Sequence, residues 1–220
     1  MTPGSDHSTA VGVLVSGSGT NLQALLDATQ VPGHPAHIAL VISSRKNAQA
    51  LDRARAAGVP AVWISPRQFD TPATFELALG EALAEHGVEW VALAGFMRIL
   101  GATFLERWAG HVLNIHPSLL PAFPGLDAQG QAHAHGVRVA GATVHFVDAG
   151  TDTGPIIAQG AVPVTPGESR DALQQRILRM EHRLYPMVLR WAVENRLSVA
   201  GRCVHVDTPP GDATWIWDTS

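Results

Sequence analysis

An α/β fold, with a mixed but mostly parallel sheet and helices on both faces, is predicted by three features of this 220-residue sequence. Short β-branched apolar runs alternate with stretches of helical apolar spacing through the first half, the signature of repeated βα units. Two longer strand-like runs then follow across a short Gly/Asp/Thr loop, and a long amphipathic stretch closes the pattern. The 46% apolar and 15% charged composition belongs to a globular chain, and the length suits one substantial core rather than two.

The first strand is expected at residues 11–15, after which a Ser/Gly cluster turns the chain and Leu22, Leu25 and Leu26 resume at helical spacing. Strands at 38–42 and 61–64 flank a helix at 48–57 that stops at Gly58. A helix from Pro72, a good first-turn residue, to His86 leads to a strand at 90–94. Residues 101–108 read as a short helix and 111–116 as a buried strand broken by Pro117, and the three prolines of 117–125 require irregular backbone. The runs 139–147 and 156–164 are close enough for an antiparallel hairpin, which makes the sheet mixed. A long helix over 169–195 is opened by Glu168, Ser169 and Asp171 and strained at Pro186. An edge hairpin at 197–206 completes a single domain of residues 10–208, between a flexible tail, 1–9, and a loosely held one from Pro209 to Ser220.

Composition excludes several function classes. The formal charge of −4 and a pI near 6.2 provide no basic field for a nucleic-acid backbone. Arg176, Arg179, Arg183 and Arg190 share one helix side, but alternate with Glu181 and Glu194 as a solvated face would. No apolar run approaches the ~20 residues of a bilayer span, and residues 1–9 lack the basic and apolar regions of an export signal, so no membrane association and a cytoplasmic location are expected. Cys203 is the only cysteine, which excludes an internal disulfide and a Cys-rich metal site. The partners expected are small molecules, with a homodimer left open.

Two loops carry the chemistry. Ser16-Gly-Ser-Gly-Thr-Asn21 joins the first strand to the first helix, where backbone N–H groups and the helix dipole suit a phosphate. It lacks the Gly-Lys-Ser/Thr of a P-loop and, with Leu22 in place of a third glycine, the full dinucleotide fingerprint. The plain alternative is a tight turn in which glycine supplies φ > 0 and Thr20 or Ser18 caps the helix. Further on, Asn114 and His116 lie two apart at the end of a buried strand and project from one face. A carboxamide that donates to an oxyanion and an imidazole that moves a proton suit attack on a carbonyl, although an asparagine and histidine beside a proline turn also serve structure alone. Asp152, ahead of Gly154-Pro155, is the candidate to orient His116 and favour its imidazolium; Asp before Thr-Gly is also ordinary turn chemistry.

These residues resemble the folate-dependent formyltransferases, most closely the purine-biosynthetic branch that acts on glycinamide ribonucleotide. The runs that carry the resemblance are S-G-S-G-T-N-L-Q-A-L from Ser16, L-A-G-F-M-R-I-L from Leu93, N-I-H-P-S-L-L-P from Asn114, P-G-L from Pro124, G-A-T-V-H-F-V from Gly141, D-T-G-P from Asp152 and E-H from Glu181, in the family's order. The resemblance implies a single-domain Rossmann-like formyltransferase fold, and formyl transfer from 10-formyltetrahydrofolate to the amine of glycinamide ribonucleotide, with no metal. It implies Asn114, His116 and Asp152 as the catalytic trio, Gly19, Thr20 and Asn21 as the loop that holds the substrate phosphate, and Glu181 as a carboxylate for the sugar hydroxyls. Met97, Arg98, Ile99 and Leu100, with Asn114 and the Asp148 to Asp152 loop, would bound the folate pocket.

The chain departs from the family at Pro72, where an arginine ligand is common, at Asp127 and Gln129, where histidines are common, and at Leu178, which replaces a polar residue. Among rivals, methionyl-tRNA formyltransferase normally has R-G after the aromatic where Pro124-Gly125 follows Phe123 here, together with a basic second domain. Formyltetrahydrofolate deformylase usually carries an N-terminal regulatory domain, whereas about ten residues precede the first strand here. A non-catalytic sensor that keeps the pocket is the alternative from another class, and the intact trio speaks against it.

Overall fold

A computed structural model of the chain describes residues 8–207 and 215–217. Its parallel half consists of β1 (Thr9–Val15), α1 (Thr20–Thr29), β2 (Ala36–Ser43), α2 (Gln49–Ala56), β3 (Ala61–Trp63), α3 (Pro72–Glu85), β4 (Trp90–Leu93), α4 (Ala102–Arg107) and β5 (Val112–His116). The second half adds α5 (Ala128–Ala134), β6 (Val139–Phe146), β7 (Ile156–Pro163), α6 (Arg170–Val193), β8 (Leu197–Ala200), β9 (Cys203–Val206) and β10 (Trp215–Trp217). The strands form one sheet in the order β3-β2-β1-β4-β5-β6-β7-β9-β8, with β10 also on β7. Strands β1 to β5 pair in parallel, whereas β6 is antiparallel to both β5 and β7, so the sheet is mixed as expected.

Alternation along the strands divides the core by sheet face. Val11, Val13 and Val15 of β1 pack with Leu22, Leu25 and Leu26 of α1 and Leu184 and Val188 of α6, while Leu14 joins Phe75, Leu79 and Leu83 of α3 and Phe104 of α4 on the other face. In β2 a bulge at Ala39 interrupts the alternation: Val11 pairs with Ile38 but Gly12 with Leu40, so Ile38 and Val41 share a face.

Several details differ from the sequence expectations. Helix α1 has Gly19, not Thr20 or Ser18, at its N-cap, with no side-chain cap. Helix α5 was not foreseen: Asp127 caps it by accepting from the Gly130 N–H (3.3 Å), and only the small residues Ala128 and Ala132 mark its buried side. A 3₁₀ turn, Pro66–Gln68, also appears. Helix α6 runs through Pro186. Within the arginine stripe on α6, Arg176 is not simply solvated: it pairs with Glu168 (3.4 Å) and donates to the Pro163 carbonyl (2.6 Å). Of the tail expected to be loosely held, Trp215–Trp217 pairs in parallel with residues 159–161 of β7; most of both tails lies outside the described residues. No helix among the described residues is long and apolar enough to cross a membrane.

Candidate active site

Strand order creates the crevice. After β1 the chain turns outward to β2 and β3, then crosses back to β4 on the other side of β1, so the loops that leave β1 and β4 diverge at their carboxyl ends. A cavity of about 850 Å³ opens there, walled by residues 17–21, 93–100 and 114–117, by the loop after β6, and by α6 through Gln174, Gln175, Leu178 and Glu181.

The glycine loop forms one end. Gly19 has φ 73°, and a Cβ there would lie 2.7 Å from the Ala50 Cα, so both the left-handed backbone and the approach of α2 require glycine. The loop is fixed from behind by the Ala50 N–H to the Gly17 carbonyl (3.2 Å) and Arg53 Nε to the Ser18 carbonyl (2.8 Å). Ser16 Oγ meets Ser44 Oγ (2.8 Å) and accepts from the Met97 N–H (2.9 Å), which ties the loop to the one after β4. Because no side chain caps α1, its first N–H groups are left for another acceptor. Asn21, from the first turn of α1, donates through Nδ2 to Glu181 Oε2 on α6 (2.5 Å). Burial pushes the Glu181 carboxyl up to about 7, against the opposing effect of that hydrogen bond. Asn21 Oδ1 is buried without a protein partner.

At the centre, β5 delivers Asn114 and His116, and the structure brings Asp152 to them across the sheet. His116 Nδ1 is 3.3 Å from Asp152 Oδ2, and Asn114 Nδ2 is 3.5 Å from Asp152 Oδ1. His116 Nε2 faces the Phe123 carbonyl at 2.9 Å. Both ring nitrogens therefore face acceptors, a set that only the doubly protonated imidazolium satisfies in full. Asp152 Oδ2 also accepts from the Gly125 N–H (2.8 Å). Burial raises the Asp152 carboxyl, but His145, the Gly125 N–H and the charge at His116 more than offset it, and hold the group below its ordinary 3.8.

The irregular proline segment is held by hydrogen bonds from β6 and β7. Thr143 Oγ1 donates to the Ser118 carbonyl (2.7 Å) and accepts from the Leu120 N–H (3.0 Å), and Gln159 Nε2 donates to the Leu120 carbonyl (2.9 Å). The Phe123 carbonyl and Gly125 N–H are thereby placed against His116 and Asp152. Phe123 and Asp152, at φ 52° and 56°, occupy the left-handed region that residues other than glycine seldom adopt. In the Asp152 loop, Asp148 Oδ1 accepts from the Gly150 N–H (3.1 Å) and Thr153 Oγ1 (2.6 Å), and Arg202, in the turn between β8 and β9, donates to the Thr153 carbonyl (2.9 Å).

The other end is apolar. Leu100 is buried, whereas Met97 and Ile99 stand 56% and 75% exposed at the rim. Buried Glu76 of α3 secures this segment by accepting from the N–H groups of Gly101 (2.8 Å) and Phe104 (3.2 Å) at the start of α4. Arg98 is the one lysine or arginine among the described residues lining the cavity. Pro72, where the family arginine was expected, is the first residue of α3 behind the Thr71 cap. Asp127 pairs with Arg170 (2.6 Å), and Gln129 lines the cavity. Leu178 faces the cavity beside Gln174 and Gln175, about one helical turn earlier.

Sequence reasoning missed His145 as a site residue. The β5–β6 register sets it opposite Asn114, and its Nε2 lies 3.1 Å from Asn114 Nδ2. The only local signal was parity: in the G-A-T-V-H-F-V run, Thr143 and His145 share a strand face, but which face meets Asn114 depends on register.

A carboxamide, an imidazole and a carboxylate converging in a crevice at the switch point of an α/β sheet define an enzyme-type site for chemistry at a carbonyl group. The chain belongs to the formyl transferase family, whose profile matches residues 9–189. Phosphoribosylglycinamide formyltransferase of Bacillus subtilis (strain 168) is 44% identical over 178 residues, which cover 81% of this chain and 91% of that protein. The Bos taurus trifunctional purine biosynthetic protein adenosine-3 is 45% identical over 194 residues; these are 87% of this chain but 19% of that protein, so the chain spans about a fifth of its length. The crystal structure of glycinamide ribonucleotide transformylase 1 from Symbiobacterium toebii is similar at a TM-score of 0.89 and 51% identity, over 91% of this chain and 95% of that one.

Proposed function

We propose that the chain transfers the formyl group of 10-formyltetrahydrofolate to the amine of glycinamide ribonucleotide, a step of purine biosynthesis, in the cytoplasm. The observation that carries this reading is the position of Asn114, His116 and Asp152 between two unlike ends of one cavity, an uncapped glycine loop and an apolar rim. The loop of Gly19, Thr20 and Asn21 suits the phosphate through backbone N–H groups, and Glu181 suits the ribose hydroxyls as their acceptor. Met97, Arg98, Ile99 and Leu100, with Asp148, Asp152 and Asn114, surround the place for the folate.

The amine attacks the formyl carbon, and charge develops on the formyl oxygen. An Asn114 N–H and the imidazolium of His116 stabilise it, and Asp152 orients the ring and serves as its counter-ion. The bond from carbon to the folate nitrogen then breaks while the new carbon–nitrogen bond remains. The proton lost by the amine passes to the departing nitrogen with Asp152 as relay, so the enzyme forms no covalent intermediate. The test mixes the protein with 10-formyltetrahydrofolate and offers glycinamide ribonucleotide, initiator methionyl-tRNA or water alone. Formylated ribonucleotide and tetrahydrofolate in equal amounts are expected from the first mixture; formylation of the tRNA, or hydrolysis alone, would overturn the assignment.

A further inference from the structure

We infer that His145 is a positioning residue that decides which end of the Asn114 carboxamide faces the reacting oxygen, through a tautomer imposed on it by the main chain. This rests on the transfer reaction proposed above.

The chain of causes begins at the backbone. His145 Nδ1 lies 2.7 Å from the Phe146 carbonyl, which can only accept, so Nδ1 carries the hydrogen. In the neutral ring Nε2 then has a bare lone pair and can only accept. The nearest atom it faces, 3.1 Å away, is Asn114 Nδ2, a donor, and Asp152 Oδ1 lies farther off at 3.7 Å. One Asn114 hydrogen is therefore committed to His145. The second points to the side occupied by Asp152, where the long 3.5 Å contact is weak enough to be exchanged for a developing oxyanion. Among the described residues the carboxamide oxygen accepts no hydrogen bond, so without His145 only the long contact to Asp152 opposes a half-turn of the amide. That half-turn would set oxygen lone pairs where an N–H is needed, which exchanges stabilisation for repulsion. The three groups that face the His145 ring are the Phe146 carbonyl, the Asn114 amide and the Asp152 carboxylate, and the first two define one arrangement.

Two measurements test the inference. ¹⁵N NMR of the histidine side chains in the wild-type protein reads the tautomer without turnover, so this result is separable from failure of the transfer reading. A neutral His145 protonated at Nδ1 is expected; a neutral ring protonated at Nε2 would overturn the inference. In kinetics, His145→Phe keeps the ring volume but removes the acceptor. Its kcat is expected to fall by about 10²- to 10³-fold, the usual cost of one oxyanion donor, with the KM for both substrates within about twofold. His145→Gln, whose carbonyl can accept from Asn114 at the same reach, is expected to recover most of that loss. Wild-type kcat in the Phe variant, or equal loss in both variants with equal loss of thermal stability, would reduce His145 to a packing residue and overturn the assignment.

Discussion

Asp152 gathers three obligations on one carboxylate: it faces His116, it lies at the edge of reach of Asn114, and it accepts the Gly125 N–H. Asp152→Asn keeps the shape and removes the charge, so the imidazolium loses its counter-ion while the Gly125 contact survives. The expected outcome is a fall in kcat by ~10² to 10⁴, the scale of acid–base assistance. His116→Ala is expected to be similarly damaging, and the double variant little worse than either single one, because groups that act as a unit are non-additive. Near-wild-type turnover in Asp152→Asn would remove the aspartate from the mechanism without touching the family assignment. Glu181 offers a pH test. Its carboxyl is raised to about 7 from 4.5, so between those values the native state binds more protons than the unfolded one, and stability falls as pH rises. The stabilising protonation is complete below 4.5 and lost above about 7, a difference of about 3 kcal/mol from the size of the shift. Ribose hydroxyls that donate to the carboxylate favour its ionised form, so the KM for the ribonucleotide is expected to drop as pH rises toward about 7. Glu181→Gln should flatten that profile, and a Gln variant with the wild-type slope would assign the pH dependence elsewhere.

At the scale of elements, the site is assembled from ends. Helix α1 contributes its first turn, β5 its last residues, and α6 one face that supplies Glu181 to the cavity and Tyr185 to the core, where the Tyr185 hydroxyl lies 3.0 and 3.1 Å from the carbonyls of Leu93 and Leu113. This hydroxyl ties the long helix to the two strands that end at the site. The turn before α1 leaves no room for a side chain at Gly19. Gly19→Val would collide with the Ala50 backbone and resist φ 73°, so the KM for the ribonucleotide is expected to rise about tenfold or more while folate affinity stays nearly unchanged. Equal loss of both affinities, measured by titration with each ligand alone, would show that the variant perturbs the whole fold instead. The strand–loop–helix order around this turn was legible in the sequence because both periodicities and the glycine signal are local. Helix α5 was not, since its alanines and short length leave no apolar stripe.

For the molecule as a whole, the cavity end proposed for the folate joins segments from distant parts of the chain. A ligand that bridges them should stabilise every element they belong to. A non-transferable folate analogue at a hundred times its Kd is expected to add about 2.7 kcal/mol by mass action, which for a domain of this size raises Tm by roughly 5 to 10 °C. Hydrogen exchange should slow in residues 97–100 and 148–152 under the same conditions. If ATP or NAD produced that protection and folates did not, the proposed donor would be wrong.

The alternation of strands and longer helices, the parallel first half, the antiparallel return and the candidates Asn114, His116 and Asp152 were legible in the sequence, because each rests on spacing within a few residues. Which of those residues meet was decided only by the tertiary structure. Asn114 and Asp152 are 38 positions apart and Asn21 and Glu181 are 160 apart, so their contacts depend on strand order, register and the path of α6. His145 shows the distinction most sharply: its identity and strand parity were visible, but its neighbour was not. A one-residue slip between β5 and β6 would turn it to the other face of the sheet, and register is set by burial summed over a whole strand rather than by any short run of sequence.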